Sequence, residues 1–361
     1  MTRIDIGHSA DYHVHLRQGE MMELVTPTVR EGGVSIAYIM PNLTPPLTEI
    51  DRVIQYKKDL QKLAPKTTFL MTFYLSNLLT PELVAKAADE NVIKGIKCYP
   101  AGVTTNSQAG VDPNDFTAFY PIFKVMEEKG LVLNLHGEKP SVRDNGEDIH
   151  VLNAESKFLP ALFKLHKDFP NLKIVLEHCT TKAAVDAIHE INKDLKAGET
   201  PKVVATLTAH HLYITIDDWA GNPVNFCKPV AKLPEDRRAL LSAATSGKPY
   251  FFFGSDSAPH DLSKKIVHVG VCAGVYTQKH AIAYVAEVFD KANKLDRLKG
   301  FVTDFGNAFY GMDENKLASN EKCVLVKKEQ VIPDMFTFEN SDIKIAPFMA
   351  GKKLAWSTEW V

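Results

Sequence analysis

The amino-acid sequence predicts an α/β fold, a (β/α)8 TIM barrel, and three observations point there. Short apolar runs recur along the 361-residue chain, most of them continuous in hydrophobicity, and amphipathic stretches lie between them. Unusual polar residues stand at the ends of several runs. Continuous runs rich in β-branched and aromatic residues are what parallel strands buried on both faces require. Strands are expected at 9–16, 35–40, 68–75, 95–99, 131–136, 173–178, 203–209 and 250–254. Helices are expected at 49–63, 81–90, 116–129, 154–168, 182–196 and 235–246. Thr80 followed by Pro81 reads as a helix cap and first helical residue. Eight strands with helical crossovers close into a barrel whose functional residues stand at the strand C-terminal ends. A doubly wound open sheet is the alternative, but no Gly-x-Gly-x-x-Gly turn follows the first strand.

Three segments depart from the repeat. Residues 100–114 form a long loop of small residues after the fourth strand, of the kind used as lids or binding loops. Residues 210–233 are too long for a tight turn. Residues 323–328 and 335–347 read as short strands wrapping the barrel. No repeat, low-complexity tract or linker interrupts the chain, so one domain is expected over 1–361, with the barrel at about 9–315 and an extension at about 316–361.

Composition narrows the function. With 45% hydrophobic residues and a formal net charge of -2, the chain can bury a large core and has no basic field for nucleic acid or an acidic membrane. No stretch approaches the length of a membrane span, and the first residues lack an apolar leader. Cys98, Cys179, Cys227, Cys272 and Cys323 are odd in number and contain no C-x-x-C pair, which fits reduced thiols in the cytoplasm.

The polar strand ends carry the chemistry. His13 and His15 are one residue apart, so on a strand they share a face and can chelate one metal ion, with Arg17 continuing that face. An isolated His-x-His is more often a surface coincidence. Here the fourth strand ends in Lys97, the fifth in His136, the sixth in His178, and Asp256 follows the eighth. Each alone has a plain structural explanation, but a barrel gathers all strand ends around one mouth. Four histidines and an aspartate converging there read as a two-metal hydrolytic site. His8, His150, His166, His189, His268 and His280 are expected on the surface or on helices. His210 and His211 receive no role.

These residues, together with Met40-Pro41-Asn42, Lys97-Cys98-Tyr99-Pro100-Ala101, Thr104-Thr105-Asn106-Ser107, Leu135-His136-Gly137-Glu138, Glu177-His178-Cys179-Thr180-Thr181, His210-His211-Leu212, Gly254-Ser255-Asp256-Ser257-Ala258-Pro259-His260 and Cys272-Ala273-Gly274, look like the amidohydrolase superfamily. More closely, the chain resembles dihydroorotase of the shorter, single-domain class, in order from residue 11 to about 274. The resemblance implies two Zn2+ per subunit, with Co2+ or Mn2+ as acceptable substitutes. His13, His15 and Asp256 would hold the more buried ion and His136 and His178 the more exposed one. Lys97 would be carboxylated to a carbamate bridging both. The implied reaction is reversible cyclisation of N-carbamoyl-L-aspartate to L-dihydroorotate, with Asp256 as general base and then general acid. Arg17, Asn42 and His260 would clamp the free carboxylate of the substrate, helped by the backbone at Ala273 and at Lys228, where bacterial relatives carry an apolar residue. Thr104 and Thr105 would be the tips of a loop that closes on the substrate. A homodimer in the cytoplasm is implied as well.

Two other readings compete. Hydantoinase, dihydropyrimidinase and allantoinase place His-x-His some fifty or more residues into the chain, after part of a β-sandwich, whereas here it starts at residue 13. A catalytically dead barrel acting as a scaffold would be expected to have lost ligands, and this sequence keeps all six.

Overall fold

In the computed structural model, residues 2–142, 148–196, 198–266 and 270–361 are described. The elements run β1 (Arg3–Gly7), β2 (Ala10–Val14), α1 (Gly19–Glu31), β3 (Ile36–Ile39), α2 (Ile50–Leu63), β4 (Thr68–Leu70), β5 (Thr72–Tyr74), α3 (Pro81–Asp89), β6 (Gly95–Cys98), α4 (Tyr120–Lys129), β7 (Val132–Leu135), α5 (Ala154–Asp168), β8 (Lys173–Leu176), α6 (Lys182–Ile191) and β9 (Val203–Leu207). Then come α7 (Ala209–Tyr213), α8 (Ile216–Trp219), α9 (Pro234–Ala244), β10 (Phe251–Phe253), α10 (Ser263–Ile266), α11 (Ala281–Lys291) and α12 (Phe305–Tyr310). The C-terminal part adds β11 (Cys323–Val326), β12 (Gln330–Val331), β13 (Phe336–Thr337), β14 (Lys344–Ile345), β15 (Lys353–Leu354) and β16 (Ser357–Trp360).

The parallel pairs β2–β3–β4 and β5–β6–β7–β8–β9–β10 make the (β/α)8 barrel. The expected third strand bends at Met71, so its first half pairs with β3 and its second with β6. Closure comes from the other side, where His15 N–H donates to Ser257 O at 3.0 Å and Asp256 N–H donates to His13 O at 2.8 Å. The first and eighth strands therefore meet at His13, His15 and Asp256.

Helices are placed by their apolar stripes. Val25 and Val29 of α1, Val53 and Leu60 of α2, Phe158 and Leu162 of α5 and Val185 and Ile188 of α6 are buried against the sheet, each fully buried aliphatic contributing about 1.5–3 kcal/mol. Thr80 caps α3 by accepting from Leu83 N–H at 3.2 Å, with Pro81 at the first position as the sequence predicts. The barrel floor is aromatic, with Tyr12 stacked on Tyr310 at 4.4 Å and Phe252 edge-on to Tyr12.

Some elements differ from expectation. Helices α1 and α11 supply the crossovers that the barrel requires beside its first and eighth strands, outside the stretches named from the pattern, and α6 ends at Ile191, short of residue 196. Residues 323–326 are the central strand of an antiparallel sheet with β1 and β16, two strands the sequence pattern did not reveal. That sheet covers the N-terminal end of the barrel strands, where Gly33 (φ 84) has no room for a side chain beside Thr358 and Cys323. Residues 335–347 instead form the β13–β14 hairpin at the opposite end, tied by Leu262 N–H to Lys344 O at 2.7 Å. His8, expected on the surface or a helix, is buried between β1 and β2. His268 lies outside the described residues. The five cysteines are free, and no helix among the described residues is long and apolar enough to cross a membrane.

Candidate active site

A narrow cavity at the C-terminal mouth of the barrel is lined by His13, His15, Arg17, Asn42, Tyr99, Thr104, Thr105, His136, His178, Lys228, Asp256, Ala258, Ala273 and Gly274. Twelve of the thirteen residues singled out in the sequence line it or bond directly to one that does. Lys97 reaches it from β6, its Nζ 4.9 Å from the Tyr99 ring centroid, and His260 lies beside Arg17. All come from strand ends or the loops that follow them, where parallel barrel strands leave backbone free to turn outward.

The histidines are packed together. Ring centroids are 5.4 Å apart for His13 and His15, 5.0 Å for His13 and His178, and 4.7 Å for His136 and His178. His15 Nε2 lies 3.1 Å and His13 Nε2 3.4 Å from Asp256 Oδ1. His13, His15 and His136 are each oriented by a partner on one ring nitrogen, whereas His178 Nδ1 is buried without one among the described residues. His13 Nδ1–H donates to Glu177 Oε2 at 2.8 Å, His15 Nδ1–H to Asn42 Oδ1 at 2.8 Å, and His136 Nε2–H to Glu138 Oε2 at 2.9 Å. Such partners fix the tautomer and leave the remaining nitrogen free to ligate. Glu177 in turn accepts from Thr206 Oγ1 at 2.6 Å and Asn134 Nδ2 at 2.7 Å.

Electrostatics favour ligands in their metal-binding form. Burial, then the Lys97 charge, holds the imidazoles of His13 and His178 well below the usual histidine range, so both are neutral at pH 7. Burial pushes the Asp256 carboxyl up, but the neighbouring imidazoles of His15 and His13 and the Lys97 amine outweigh it and leave the group lowered to about 2. Burial also lowers the Lys97 ammonium, raising the share of neutral amine. Its Nζ is buried without a hydrogen-bond partner among the described residues. Arg17, His178 and Asp256 have φ of 63°, 41° and 46°, the left-handed region that costs a side-chain-bearing residue roughly 1–3 kcal/mol and marks functional sites.

Around this centre lie the groups expected to meet substrate. Arg17 Nε–H donates to Pro259 O at 3.0 Å, and its Nη2 lies 3.1 Å from His260 Nε2. That nitrogen also lies 2.9 Å from Ala273 O; protonated it donates to Ala273, unprotonated it accepts from Arg17. Burial, then the Arg17 charge, lowers His260 to about 2. Asn42 has both ends engaged, accepting from His15 and donating through Nδ2 to Thr105 O at 3.0 Å, so it joins the histidine cluster to the 100–114 loop. Asn106 Nδ2 donates back to Asn42 O at 3.1 Å, and the loop is folded onto the mouth.

Several residues here carried no role in the sequence reading. Glu177 could have been found as a carboxylate inside a continuous apolar run. Asp11, two residues before His13 and fully buried, accepts from Ser255 N–H at 2.7 Å and from Gln278, tying the first strand to the eighth. His210, His211 and Cys227 form a second buried trio whose ligand-type atoms lie within 4.8 Å of one another, as do those of His13, His15 and Asp256. In that trio His211 already bonds Thr208 Oγ1 and Pro229 O, which holds the loop carrying Lys228.

A barrel with two histidines on its first strand, histidines after its fifth and sixth and an aspartate after its eighth places the chain in the amidohydrolase class. No protein-family model matches it. The chain is 66% identical to the dihydroorotase of Saccharomyces cerevisiae over 361 residues, covering 100% of this chain and 99% of that one. It is 49% identical to a probable dihydroorotase of Schizosaccharomyces pombe over 97% of each chain. The crystal structure of the S. cerevisiae dihydroorotase in complex with 5-fluoroorotic acid superposes with a TM-score of 0.98 over 100% of this chain and 99% of that one. The chain belongs to the dihydroorotase family.

Proposed function

We propose that this chain interconverts N-carbamoyl-L-aspartate and L-dihydroorotate, the dihydroorotase reaction of pyrimidine synthesis, at a centre holding two divalent ions. The observation that carries it is the meeting, in one cavity, of a neutral-histidine cluster with a guanidinium and backbone clamp suited to a carboxylate-bearing ring. His13, His15 and Asp256 would hold one ion, His136 and His178 the other, and Lys97 as a carbamate would bridge them. The residues fit that group: a buried lysine with no partner among four imidazoles is otherwise a costly arrangement. Zinc is the expected metal, with Co2+ or Mn2+ tolerated by the same nitrogen and oxygen donors. Bound there, the ions would polarise the ring carbonyl and acidify a water near neutral pH.

The chain's own residues do the rest. In ring opening, the carbonyl carbon gains the water oxygen and the ring C–N bond breaks. Asp256, ionised because its pKa is low, takes the water proton and delivers it to the departing nitrogen. Arg17 binds the free carboxylate through its fork of N–H donors, with His260, Asn42 and the Ala273 and Lys228 backbone completing the clamp. Thr104 and Thr105 close over the ring and exclude water. Free thiols and the family resemblance support a cytoplasmic protein of one domain, and the resemblance supports a homodimer.

The test is turnover of L-dihydroorotate by metal-replete protein beside hydantoin, dihydrouracil and allantoin. Selective hydrolysis of L-dihydroorotate is expected. Turnover of a neutral ring in its place would remove the clamp assignment, and no turnover with metal bound would favour a scaffold. Binding of 5-fluoroorotate, as in the yeast relative, is the companion measurement.

A further inference from the structure

We propose that Lys265 is a positioning residue for substrate recognition, fastening two loops of the cavity together and turning the Ala273 N–H away from itself toward the cavity. The inference rests on the dihydroorotase reading of the site. Lys265 stands on α10, outside the ligand cluster, and is buried. Its Nζ donates to Phe226 O at 2.8 Å, Cys272 O at 3.1 Å and Gly274 O at 2.7 Å. An ammonium has three N–H donors and no acceptor, so its capacity is spent wholly on backbone carbonyls. It forms no ion pair among the described residues. Burying a lysine in this way is expensive unless the bonds do something no apolar side chain could do.

What the bonds do follows from where their acceptors lie. Phe226 opens the loop that carries Lys228, while Cys272 and Gly274 flank Ala273, and Lys228, Ala273 and Gly274 all line the cavity. Phe226 O also accepts from Gly274 N–H at 3.0 Å, so the ammonium sits on an existing seam between the loops. His211 holds the far side of the first loop through Pro229 O at 3.0 Å. The peptide joining Cys272 to Ala273 is trans, and in a trans peptide C=O and N–H point in opposite directions. Drawing the Cys272 carbonyl onto Lys265 therefore sends the Ala273 N–H the other way, and that N–H makes no hydrogen bond among the described residues. A cation on the carbonyl also polarises the peptide, strengthening its N–H as a donor to an anion. Gly274 (φ 154) locks the next turn, because a Cβ there would lie 2.4 Å from Ala258 O. The recognised chemistry is the carboxylate of the ring substrate.

The experiment compares wild-type protein with Lys265→Met, which fills the space but cannot donate, and Lys265→Gln, which keeps two neutral donors. Two readouts are taken on metal-replete protein: steady-state kinetics with L-dihydroorotate, and the Kd of 5-fluoroorotate. Lys265→Met is expected to raise KM and Kd about tenfold or more, the scale of one hydrogen bond to a charged group, with kcat within about threefold. Lys265→Gln is expected to recover part of the loss. Unchanged KM and Kd in either folded variant overturn the proposal, as does a kcat that falls in step with rising KM in both. If Lys265→Met does not fold, Lys265→Gln decides by the same split. If wild-type protein binds 5-fluoroorotate without turning over L-dihydroorotate, the activity reading fails, and the Lys265 inference is decided by Kd alone.

Discussion

The two halves of the cavity are built differently. On the ligand side, His13, His15, Lys97, His136, His178 and Asp256 stand at or just past strand ends, and carboxylates and amides orient the rings through side-chain hydrogen bonds. On the substrate side, Arg17, Thr104, Thr105, Lys228, His260 and Ala273 sit on loops, held mainly by backbone carbonyls and by cations that grip them. The contrast matches the two tasks. Ligands must keep fixed distances from one another, which rigid strands provide. The wall proposed to meet substrate is ordered largely by bonds to the backbone, which survive changes of side chain.

That contrast can be broken experimentally. The largest effect is expected from Asp256→Asn, which keeps a ligand of similar shape but cannot shuttle the proton. Its kcat should fall by about a thousandfold or more while much of the metal stays bound, measured by kinetics beside metal analysis. Near-normal turnover would remove Asp256 from proton transfer. Glu177→Gln tests the oriented-ring argument from behind. It should weaken metal affinity about 10–100-fold in a titration of metal-free protein, because the His13 tautomer loses its anionic partner.

On the substrate side the signature should be KM in place of metal content. Arg17→Met should raise KM for L-dihydroorotate about 10–100-fold with metal content unchanged, since it deletes charge-assisted bonds to the carboxylate. An unchanged KM would sink the clamp and erase the distinction between the halves.

The smallest effect concerns the support under His178. Glu155 accepts from Thr180 N–H at 2.8 Å and from Thr181, and burial raises its carboxyl to about 7. A carboxyl raised above its unfolded value adds stability below about pH 4.5, and that stability is lost as pH rises through about 7. In metal-free protein, Glu155→Gln should flatten the fall in Tm between pH 5 and 8 by a few degrees, at roughly 1–2 °C per kcal/mol for a chain of 361 residues. An identical pH profile in the variant would show that Glu155 is ionised throughout.

Much of the ligand side was legible in the sequence because its residue types are chemically distinctive at the ends of apolar runs. His13 and His15 share a face by strand period alone, and Asp256 closes the eighth run before a turn. Less of the substrate side was legible. The roles proposed for Lys228 and Ala273 run through backbone, which carries no residue signature, and Lys265 looks in sequence like any helix-end lysine. The bend at Met71 and the edge strands β1 and β16 were also hidden, since short strands with mixed burial lack a clear period.

What the sequence by itself determined is the barrel and the histidines and aspartate gathered at its mouth, because periodicity decides which side chains face a sheet surface and residue chemistry decides what they could hold. What only the tertiary structure decided is partnership: Glu177 behind His13, Gln278 on Asp11, and Lys265 on the carbonyls beside Ala273. Those pairs join residues on different elements, and most lie far apart in the chain. Local pattern fixes the direction a group points, whereas barrel closure and loop packing fix the group it meets.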